Sequence, residues 1–235
     1  MNPAVIIPVY NHEQSIAEVI RQALAQNLPV FVVDDGCTDR TAEIIKGIGG
    51  ITVLHHPHNQ GKGAAILTGC AAAVSRGHDA AITIDGDGQH NPEDAGALLA
   101  AVSGGNRCIV IGRREGMAGE KNVPWTSRFG RGFSNFWVWV SGGPSVRDSQ
   151  SGFRLYPIPE ILQLGVRARR YQFEVEILVK ARRHRIEILE VPVRVVYQAR
   201  GKRVSHFRPW IDFMRNSTTF SRLIFARIIK GIFRT

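Results

Sequence analysis

The strongest constraint on the fold is an alternation of short apolar runs with helix-like segments in the first half of the chain. The runs are rich in valine and isoleucine and end in turn-forming or charged residues, which is typical of buried parallel strands. They cover residues 4–9, 30–33, 52–54, 80–84 and 108–111. Helices are predicted between them, over 13–25, 41–45, 63–75 and 92–102. This spacing predicts an α/β fold with a Rossmann-like, mostly parallel central sheet flanked by helices.

The second half of the chain is less regular. Helices are predicted at 125–140 and 174–183, an extended segment at 151–156, and a strand at 186–196 in which Pro192 indicates a sheet edge or a bulge. A basic loop at 199–209 and a long helix at 210–234 follow. Because no linker interrupts the chain, we expect a single domain over 1–209, with a division of roles near residue 120, and a separate C-terminal segment over 210–235.

Composition excludes several classes of protein. The chain has 235 residues, of which 44% are apolar and 21% charged, so it can bury a core and is not disordered. Its three cysteines form no CxxC pair, which argues against a disulfide framework or a zinc site and favours a reducing cytoplasm. The N-terminus has no basic region before Pro8, so we expect no signal peptide. The longest uncharged stretch, 132–146, is too short to cross a bilayer.

Charge is distributed unevenly along the chain. The net charge of +10 divides into −4 for residues 1–127 and +14 for residues 128–235. A basic half predicts an anionic partner, which can be nucleic acid, a phosphorylated substrate or an anionic membrane surface. A non-enzymatic nucleic-acid-binding protein is therefore one interpretation. The acidic first half and the lack of a recognised nucleic-acid module argue against it.

Two aspartates, Asp85 and Asp87, follow directly after the apolar run 80–84. Residues two apart at a strand end point to the same side of the backbone, and the glycine between them allows a tight turn. The two carboxylates can share one divalent cation, because Mg²⁺ prefers oxygen ligands and completes its shell with water and substrate phosphate. Gln89 and His90 are close enough in sequence to join them. An acidic surface turn is the alternative interpretation of so short a motif.

A second acidic turn, from Asp34 to Asp39, follows the apolar run 30–33. By itself it can be explained as the start of the helix at Thr41, with Thr38 or Asp39 as the cap. Its position nevertheless repeats that of the first turn, and the carboxyl ends of parallel strands meet at one edge of a sheet. The sequence therefore predicts that acidic side chains from both turns share one cleft.

Two other phosphate-binding motifs are excluded by the residues they lack. The GKG at 61–63 has no Ser or Thr after its lysine, and His56 stands where a P-loop needs its first glycine. The GDG at 86–88 has Asn91 where the dinucleotide fingerprint needs its third glycine. Neither a P-loop ATPase nor a nicotinamide-dependent dehydrogenase is supported.

Several short motifs occur in order along residues 3–205. They are PVYN at 8–11 with Glu13, VVDDGCTDRT at 32–41, NQGKG at 59–63, IDGDGQH at 84–90, DSQSGFR at 148–154, FEVEILVKARRH at 173–184 and EVPVRVVYQARGK at 190–202. In this order they resemble the family-2 glycosyltransferases of the GT-A fold, and within that family most closely the dolichol- or polyprenyl-phosphate sugar synthases. The ordered set is far more specific than any one of its motifs.

The resemblance implies an enzyme that transfers a hexose, with inversion, from a nucleoside-diphosphate sugar bound by residues 1–120. It implies that Asp35 holds the base or ribose. Asp85, Asp87 and Gln89 would hold a Mg²⁺ or Mn²⁺ on the diphosphate, where the cation stabilises the charge of the leaving group, and Asp87 would thereby be catalytic. The other implied donor contacts are Pro8, Tyr10, Asn11, Glu13 and Lys62.

The implied acceptor, bound by residues 121–209, is a polyprenyl or dolichyl phosphate. Its phosphate is ionised at neutral pH, so the site needs positive charge rather than a strong base. The residues expected to hold this phosphate are Arg113, Arg128, Arg131 and Ser134, with Arg131 also counted as catalytic. Arg200 and Lys202 belong to a basic loop that could close over the diphosphate as a lid.

Four features depart from the family's pattern or leave the acceptor open. Cys37 stands where the family commonly has serine, and the spacing of basic and hydroxyl residues over 128–134 is unusual. The QxxRW motif of processive members is absent, which argues against a polymerising synthase. Asp148 falls where related enzymes with hydroxyl acceptors carry an acidic base. A second interpretation therefore keeps the fold and the donor, but transfers the sugar to a hydroxyl of a lipid or glycan with Asp148 as base.

The C-terminal segment 210–234 predicts an amphipathic helix, with a point near 216–219 at which it could break. At 100° per residue, one broad face carries Trp210, Phe213, Met214, Phe220, Ile224, Ile228 and Ile232, and the other carries Arg215, Arg222, Arg227, Lys230 and Arg234. The helix can pack on the core, or it can lie in a membrane interface with its basic face on anionic lipid. The second interpretation places the enzyme peripherally on the cytoplasmic face of a membrane, where a lipid-linked acceptor resides.

Overall fold

One seven-stranded sheet forms the centre of the computed structural model. The structure describes residues 1–102, 104–115, 125–195 and 209–232, without the side chains of 125–129, 209–213 and 230–232. The strands are β1 (Pro3–Val9), β2 (Val30–Asp34), β3 (Ile51–His55), β4 (Ala80–Thr83), β5 (Cys108–Arg114), β6 (Arg154–Pro157) and β7 (Glu187–Val193). Their order is β3-β2-β1-β4-β6-β5-β7, and only β6 runs antiparallel to its neighbours. The predicted α/β fold with a mostly parallel sheet is confirmed.

Eight α-helices are described around this sheet. They are α1 (Ile16–Leu24), α2 (Thr41–Lys46), α3 (Lys62–Ser75), α4 (Ala95–Ala100), α5 (Trp125–Val140), α6 (Glu160–Gln163), α7 (Phe173–Arg183) and α8 (Pro209–Ile232). A 3₁₀ turn, Pro92–Asp94, precedes α4. Strands from both halves of the chain join the same sheet, and Pro192 lies in the edge strand β7, as its missing N–H group predicts.

Three sequence predictions of helix geometry need correction. The helix expected over 13–25 begins only at Ile16, because residues 12–15 form a turn in which His12 O accepts from Ser15 N and Ile16 N. The helix expected over 92–102 is divided into the 3₁₀ turn and α4, and Asn91 caps the turn by accepting from Glu93 N. The break expected near 216–219 is absent, since α8 is continuous through this segment.

Alternating residues of β1 divide the core into two layers. Ala4 and Ile6 belong to an apolar cluster with α3, α5, α7 and α8, whereas Val5 and Ile7 belong to a second cluster with α1, α2 and α4. Both faces of the sheet are therefore covered, as the continuous apolar strands require. The carboxyl edge of the parallel strands is the part of the sheet left for a ligand.

Helix α8 both packs on the core and presents apolar side chains to solvent. Phe220 and Leu223 are buried against the layer that holds α5 and α7, and Phe220 stacks on Trp137 of α5 with ring centroids 6.3 Å apart. The large exposed apolar side chains of the two helices are Phe136, Trp139, Met214, Phe225, Ile228 and Ile229. Among the described residues, no helix is both long enough and apolar enough to cross a bilayer.

Candidate active site

The two acidic turns meet at the carboxyl end of β1. Strands β2 and β4 flank β1 and run parallel to it, so the turns that follow them lie at the same edge of the sheet. Asp35 N donates to Val9 O at 2.9 Å, and Gly86 lies against the Val9 side chain. Ser15 Oγ donates to Gly86 O at 2.6 Å, which ties the acidic turn at 85–87 to the start of α1. The two turns therefore lie at one edge of the sheet, as their strand-end positions predict, and the cleft shared by their acidic side chains stays a prediction.

In the first acidic turn, Asp85-Gly86-Asp87, which we call the DGD turn, the side chain of Asp87 is hydrogen-bonded to Gln89. Asp87 Oδ1 accepts from Gln89 N at 3.0 Å, and Asp87 Oδ2 accepts from Gln89 Nε2 at 2.8 Å. Asp87 and Gln89 are thus neighbours in space as well as in sequence. Asp85, Asp87 and Gln89 together supply two carboxylates and an amide at one turn.

A buried ion-pair cluster lies beside this turn. Lys62, the first residue of α3, places Nζ 2.7 Å from Asp85 Oδ1 and also donates to Glu174 Oε1 in the first turn of α7. Burial alone would raise the pKa of Asp85, but the Lys62 ammonium outweighs it and the pKa is lowered. Burial would likewise lower the pKa of Lys62, yet Asp85 and Glu174 raise it. Lys62 and Asp85 are therefore both charged at neutral pH.

Gly152 provides the space for this cluster. A Cβ atom at position 152 would collide with Lys62 Nζ and with the carboxylate oxygens of Asp85. Arg154, which is fully buried, fixes the same loop by donating to Ser149 O at 2.8 Å and to Glu174 O at 2.9 Å. The DSQSGFR motif thus positions the Lys62–Asp85 pair through backbone contacts and through the absence of a side chain.

Two of the predicted donor-binding residues, Asn11 and Glu13, join the loop after β1 to the second acidic turn. Asn11 Oδ1 accepts from Thr38 N at 2.8 Å, and Glu13 Oε2 accepts from Arg40 N at 3.1 Å. Asn11 has a φ of 54°, in the left-handed region that asparagine tolerates better than most residues. Tyr10, the residue before Asn11, is half-buried, and Pro8 is buried within β1.

Asp34 and Asp35 have different surroundings. Asp34 Oδ1 accepts from Cys37 N at 2.8 Å, and Asp34 Oδ2 contacts His55 Nδ1 at 2.9 Å, so this residue forms the turn. Asp35 accepts from Gln60 N at 2.9 Å and Gly61 N at 2.8 Å, and its Oδ1 contacts His56 Nδ1 at 2.7 Å. A carboxylate offers about four acceptor positions, and the protein occupies three of them on the buried Asp35. Its predicted contact with the base or ribose stays a prediction.

Cys37 occupies the position where the family commonly has serine. Its thiol both donates and accepts a hydrogen bond, as a serine hydroxyl can. Its Sγ donates to Val9 O at 3.6 Å, while Asn11 N donates to the sulfur at 3.3 Å. Burial, together with the hydrogen bond to Asp34, raises the pKa of Cys37 to about 12. The thiol therefore stays protonated, and the substitution leaves the turn intact.

The residues predicted to hold the acceptor phosphate have unequal positions. Arg113 is half-buried at the end of β5 and pairs with Glu115 at 2.8 Å. Ser134 is buried and its Oγ lies 2.9 Å from Ser149 Oγ, so the structure argues against its contact with a phosphate. Arg128 belongs to α5, but its side chain lies outside the described residues, as do Arg200 and Lys202 entirely.

Asp148 does not have the surroundings of a general base. Its carboxylate is fully buried and accepts from Arg114 Nε and Nη2, both at 2.8 Å. Burial alone would raise the pKa of Asp148, but hydrogen bonds from Arg114, with a smaller contribution from the charge of Arg131, lower it. A buried carboxylate with a lowered pKa is a weak base, which argues against the proton-accepting role suggested by its place in the sequence.

His90, a candidate to join the cation ligands, is instead buried against Phe153. The two rings stack with centroids 5.4 Å apart and an interplanar angle of 25°. Burial lowers the pKa of His90 to about 4, despite the opposing charge of Asp85. The imidazole is therefore neutral in the folded protein at every pH from neutrality down to about that value.

This neutral histidine makes stability depend on pH. Below its ordinary pKa of 6.5 the unfolded chain binds a proton that the folded chain does not bind until about pH 4, so stability is lost as pH falls between these values. We expect the free energy of unfolding to decrease by about 2 kcal/mol more between pH 7 and pH 5 in the native chain than in His90→Phe. Urea titrations at the two pH values measure this difference. Equal decreases in both proteins would contradict the assignment.

The donor set at the DGD turn fits a magnesium or manganese ion that is also bound by substrate. Among the described residues, no group of three His, Cys, Asp or Glu side chains converges as a complete metal site. Mg²⁺, however, is commonly held by one or two carboxylates with water and substrate phosphate as the other ligands. Asp85, Asp87 and the amide oxygen of Gln89 match that chemistry, and Asp85 Oδ1 also pairs with the Lys62 ammonium at 2.7 Å.

Sequence reasoning missed Glu174 and Gly152 as parts of the site. Glu174 lies 112 residues from Lys62, and a glutamate in the first turn of a helix is explained by the helix dipole alone. In the sequence, Gly152 is distinguished only as part of the DSQSGFR motif at 148–154. Its role becomes visible when a Cβ atom is placed next to the ion pair.

This chain is similar to known proteins over most of its length. Residues 4–158 match the family described as glycosyl transferase family 2. The chain is 32% identical over 223 residues to UDP-N-acetylglucosamine–dolichyl-phosphate N-acetylglucosaminyltransferase of Methanococcus voltae, covering 85% of this chain and 89% of the relative. It is 29% identical over 214 residues to undecaprenyl-phosphate mannosyltransferase of Micrococcus luteus, covering 86% of each.

Solved structures support the fold. The chain resembles mannose-1-phosphate geranyltransferase of Thermus thermophilus with a TM-score of 0.53 and 12% identity, over 84% of this chain and 76% of that one. It resembles TarS of S. aureus with a TM-score of 0.52 and 18% identity, over 82% of this chain and 35% of that one. At these identities the likeness shows a common fold and nothing about substrate.

Proposed function

Because this chain belongs to the family-2 glycosyltransferases and is most like their dolichyl- and polyprenyl-phosphate sugar transferases, we propose that it moves a hexose from a nucleoside-diphosphate sugar to a polyprenyl or dolichyl phosphate. The observation that carries the proposal is the meeting of two acidic turns at the end of β1, beside the Lys62–Asp85–Glu174 cluster. Such an edge suits a nucleotide diphosphate, because ligands bind at the carboxyl ends of parallel strands.

The proposed reaction is a displacement at the anomeric carbon with inversion. An oxygen of the lipid phosphate forms the new bond to that carbon, while the bond to the donor diphosphate breaks and the nucleoside diphosphate leaves. The attacking oxygen is already ionised, so no protein group has to remove a proton. This agrees with the burial of Asp148 and its pairing with Arg114, which leave it unsuited to act as a base.

The donor diphosphate is proposed to bind at the DGD turn with Mg²⁺ or Mn²⁺ held by Asp85, Asp87 and Gln89. When bound, the cation supplies positive charge to the leaving diphosphate. Lys62 adds a fixed ammonium beside the same turn, held there by Glu174. The loop of Asn11 and Glu13, fixed to the turn 34–39 by hydrogen bonds, is proposed to bound the nucleoside side of the pocket.

The acceptor phosphate is proposed to bind near Arg131 and Arg113. Arg131 is half-buried on α5, and its positive charge contributes to the lowered pKa of Asp148. Arg128, Arg200 and Lys202 remain predicted contacts outside the described side chains. Arginine suits this task because its planar fork can hold two phosphate oxygens at once.

The enzyme is proposed to work peripherally on the cytoplasmic face of a membrane. The exposed apolar residues of α5 and α8, among them Trp139 and Phe225, support contact with the lipid interface, where amphipathic helices bury their apolar faces. Basic residues on α8 would then face anionic headgroups.

The choice of acceptor tests this proposal. We expect purified protein with Mg²⁺ and a panel of nucleotide sugars to label polyprenyl phosphate, and to leave the corresponding polyprenyl alcohol unlabelled. Labelling is measured by extraction into organic solvent and mass analysis of the product. Transfer to the alcohol, abolished in Asp148→Asn, would instead support the interpretation with a hydroxyl acceptor. Absence of transfer to the phosphate with every donor would refute the proposal.

A further inference from the structure

A basic groove of about 700 Å³ lies between residues 167–172 and helix α8. Five arginines line it, three from the segment before α7 and two from α8: Arg167, Arg169, Arg170, Arg215 and Arg222. Its described lining includes no acidic residue. We call it the arginine groove, and neither the donor contacts nor the acceptor arginines of the proposed reaction belong to it.

The arginines of the groove differ in what they already bind. Arg222 donates to Glu176 at 2.7 Å and Arg170 donates to Asn59 at 2.9 Å, so these two support the walls. Arg167 and Arg169 are exposed, and neither guanidinium has a hydrogen bond or ion pair with any residue that the structure describes. Two positive charges with ten N–H donors between them therefore face the groove without a protein counter-ion.

A buried amide in the groove also lacks an acceptor. Gln172 lines the groove and is 5% exposed, yet its Nε2 has no hydrogen-bond partner among the described residues. An unsatisfied buried donor is energetically unfavourable, and a ligand oxygen that reached the amide would relieve that cost. Two arginine forks that face one space, with the Gln172 amide buried in its wall, match the oxygens of a phosphate group.

The groove continues into an apolar stripe on α8. Arg215, Thr218 and Arg222 line the groove at intervals of three and four residues, and the same helical face carries Phe225 and Ile229 next. Phe225 is 65% exposed and Ile229 is 37% exposed. A charged pocket that passes directly into an exposed apolar stripe complements a molecule with an anionic head and a hydrocarbon tail.

We propose that the arginine groove binds the phosphate headgroup of an anionic phospholipid in a bilayer, with Phe225 and Ile229 inserted among its acyl chains. The site holds the enzyme on the membrane and shares no side chain with the proposed reacting centre. The proposal rests on the proposed function only in assuming that the enzyme works at a membrane surface.

Vesicle binding without donor, metal or polyprenyl phosphate tests this site. We expect the double variant Arg167→Gln/Arg169→Gln to bind phosphatidylcholine vesicles containing phosphatidylglycerol about 30-fold more weakly than the native chain, since each surface arginine contributes about 1 kcal/mol. The matched control, Arg21→Gln/Arg182→Gln, removes the same charge from exposed positions on α1 and α7. We expect it to change binding less than threefold. Cosedimentation at fixed salt measures both.

A second comparison separates a headgroup site from general attraction to negative charge. Vesicles made equally anionic with oleate carry no phosphodiester beyond that of the phosphatidylcholine, and we expect the native chain to bind them more weakly than phosphatidylglycerol vesicles. Gln172→Leu should remove most of that preference, because it removes the amide donor that the phosphate would satisfy. Equal binding to both kinds of vesicle by the native chain would overturn the proposal.

Other outcomes identify other ligands and would also overturn the proposal. One is that the groove variant and its control bind vesicles equally weakly. The others are displacement of the protein from vesicles by glycerol phosphate at low millimolar concentration, and tight binding to duplex DNA that the groove variant loses.

Transfer to a short-chain polyprenyl phosphate in solution is measured in parallel. A groove variant that keeps this transfer but leaves the vesicles supports the site, whereas loss of transfer in all proteins speaks against the proposed function alone.

Discussion

Replacing Asp87 by alanine is expected to lower the rate of sugar transfer about a thousandfold while the protein stays folded. The reason is that Asp87 is proposed to hold the divalent cation on the leaving diphosphate, and such charge stabilisation contributes several kcal/mol to the transition state. Asp87 lies in a turn at the sheet edge and its carboxylate accepts from Gln89, the residue two positions on. The free energy of unfolding should therefore change by less than about 1 kcal/mol.

The control for this variant is Glu93→Ala, in the 3₁₀ turn six residues further on. Glu93 is an exposed carboxylate that pairs with Arg194, and we expect its removal to leave the transfer rate within a factor of about two. Rates are measured with saturating nucleotide sugar and Mg²⁺, and unfolding with urea. An Asp87→Ala enzyme that stays fully active, or a native enzyme that is equally active in the presence of a chelator, would remove the metal role from this turn.

Replacing Lys62 by methionine is expected to destabilise the protein by about 3 kcal/mol or more and to abolish transfer. The ammonium is the counter-ion of both Asp85 and Glu174, and removal of one member of a buried pair leaves uncompensated charge. Without Lys62 the effect of burial on Asp85 prevails, and the pKa of Asp85 rises instead of falling. The loss of stability should therefore be largest near neutral pH and shrink as pH falls toward the ordinary pKa of an aspartate, because Asp85 of the variant then binds a proton.

The double variant Lys62→Met/Glu174→Gln provides the comparison. It removes one of the two stranded carboxylates, so we expect it to recover part of the stability without recovering activity. Urea unfolding at pH 7 and pH 4 measures both effects. If Lys62→Met unfolds within 1 kcal/mol of the native chain at pH 7, the cluster is not the buried ion pair that the geometry indicates.

The sequence was sufficient to predict the part of the fold that repeats locally. The five strands of the first half are found within a few residues of their predicted positions, because each is a short apolar run ended by turn residues. Strand β6 was harder, since Arg154–Pro157 has no distinctive pattern and its antiparallel placement depends on pairing with β4 and β5 far along the chain. An arginine such as Arg154 is expected at the surface from sequence alone. It is fully buried here because backbone carbonyls accept its hydrogen bonds.

The candidate site was predictable where its residues are adjacent in sequence. Both acidic turns were identified from their positions after apolar runs, and the end of β1 brings them together. Contacts across long stretches of chain were not predictable. The sequence does not show that Ser134 is buried against Ser149 or that Arg114 covers Asp148, so the roles suggested for Ser134 and Asp148 were given to side chains that the fold encloses.

Binding of a nucleoside diphosphate with and without Mn²⁺ tests the central claim most directly. The account predicts that one of UDP and GDP raises the thermal midpoint of the native chain by about 5–10 °C at a concentration near 100 times its Kd, and only when Mn²⁺ is present. A chelator should abolish the shift. An equal shift without metal, or no shift with either nucleotide, would contradict a cation-bound sugar nucleotide at the edge where the two acidic turns meet.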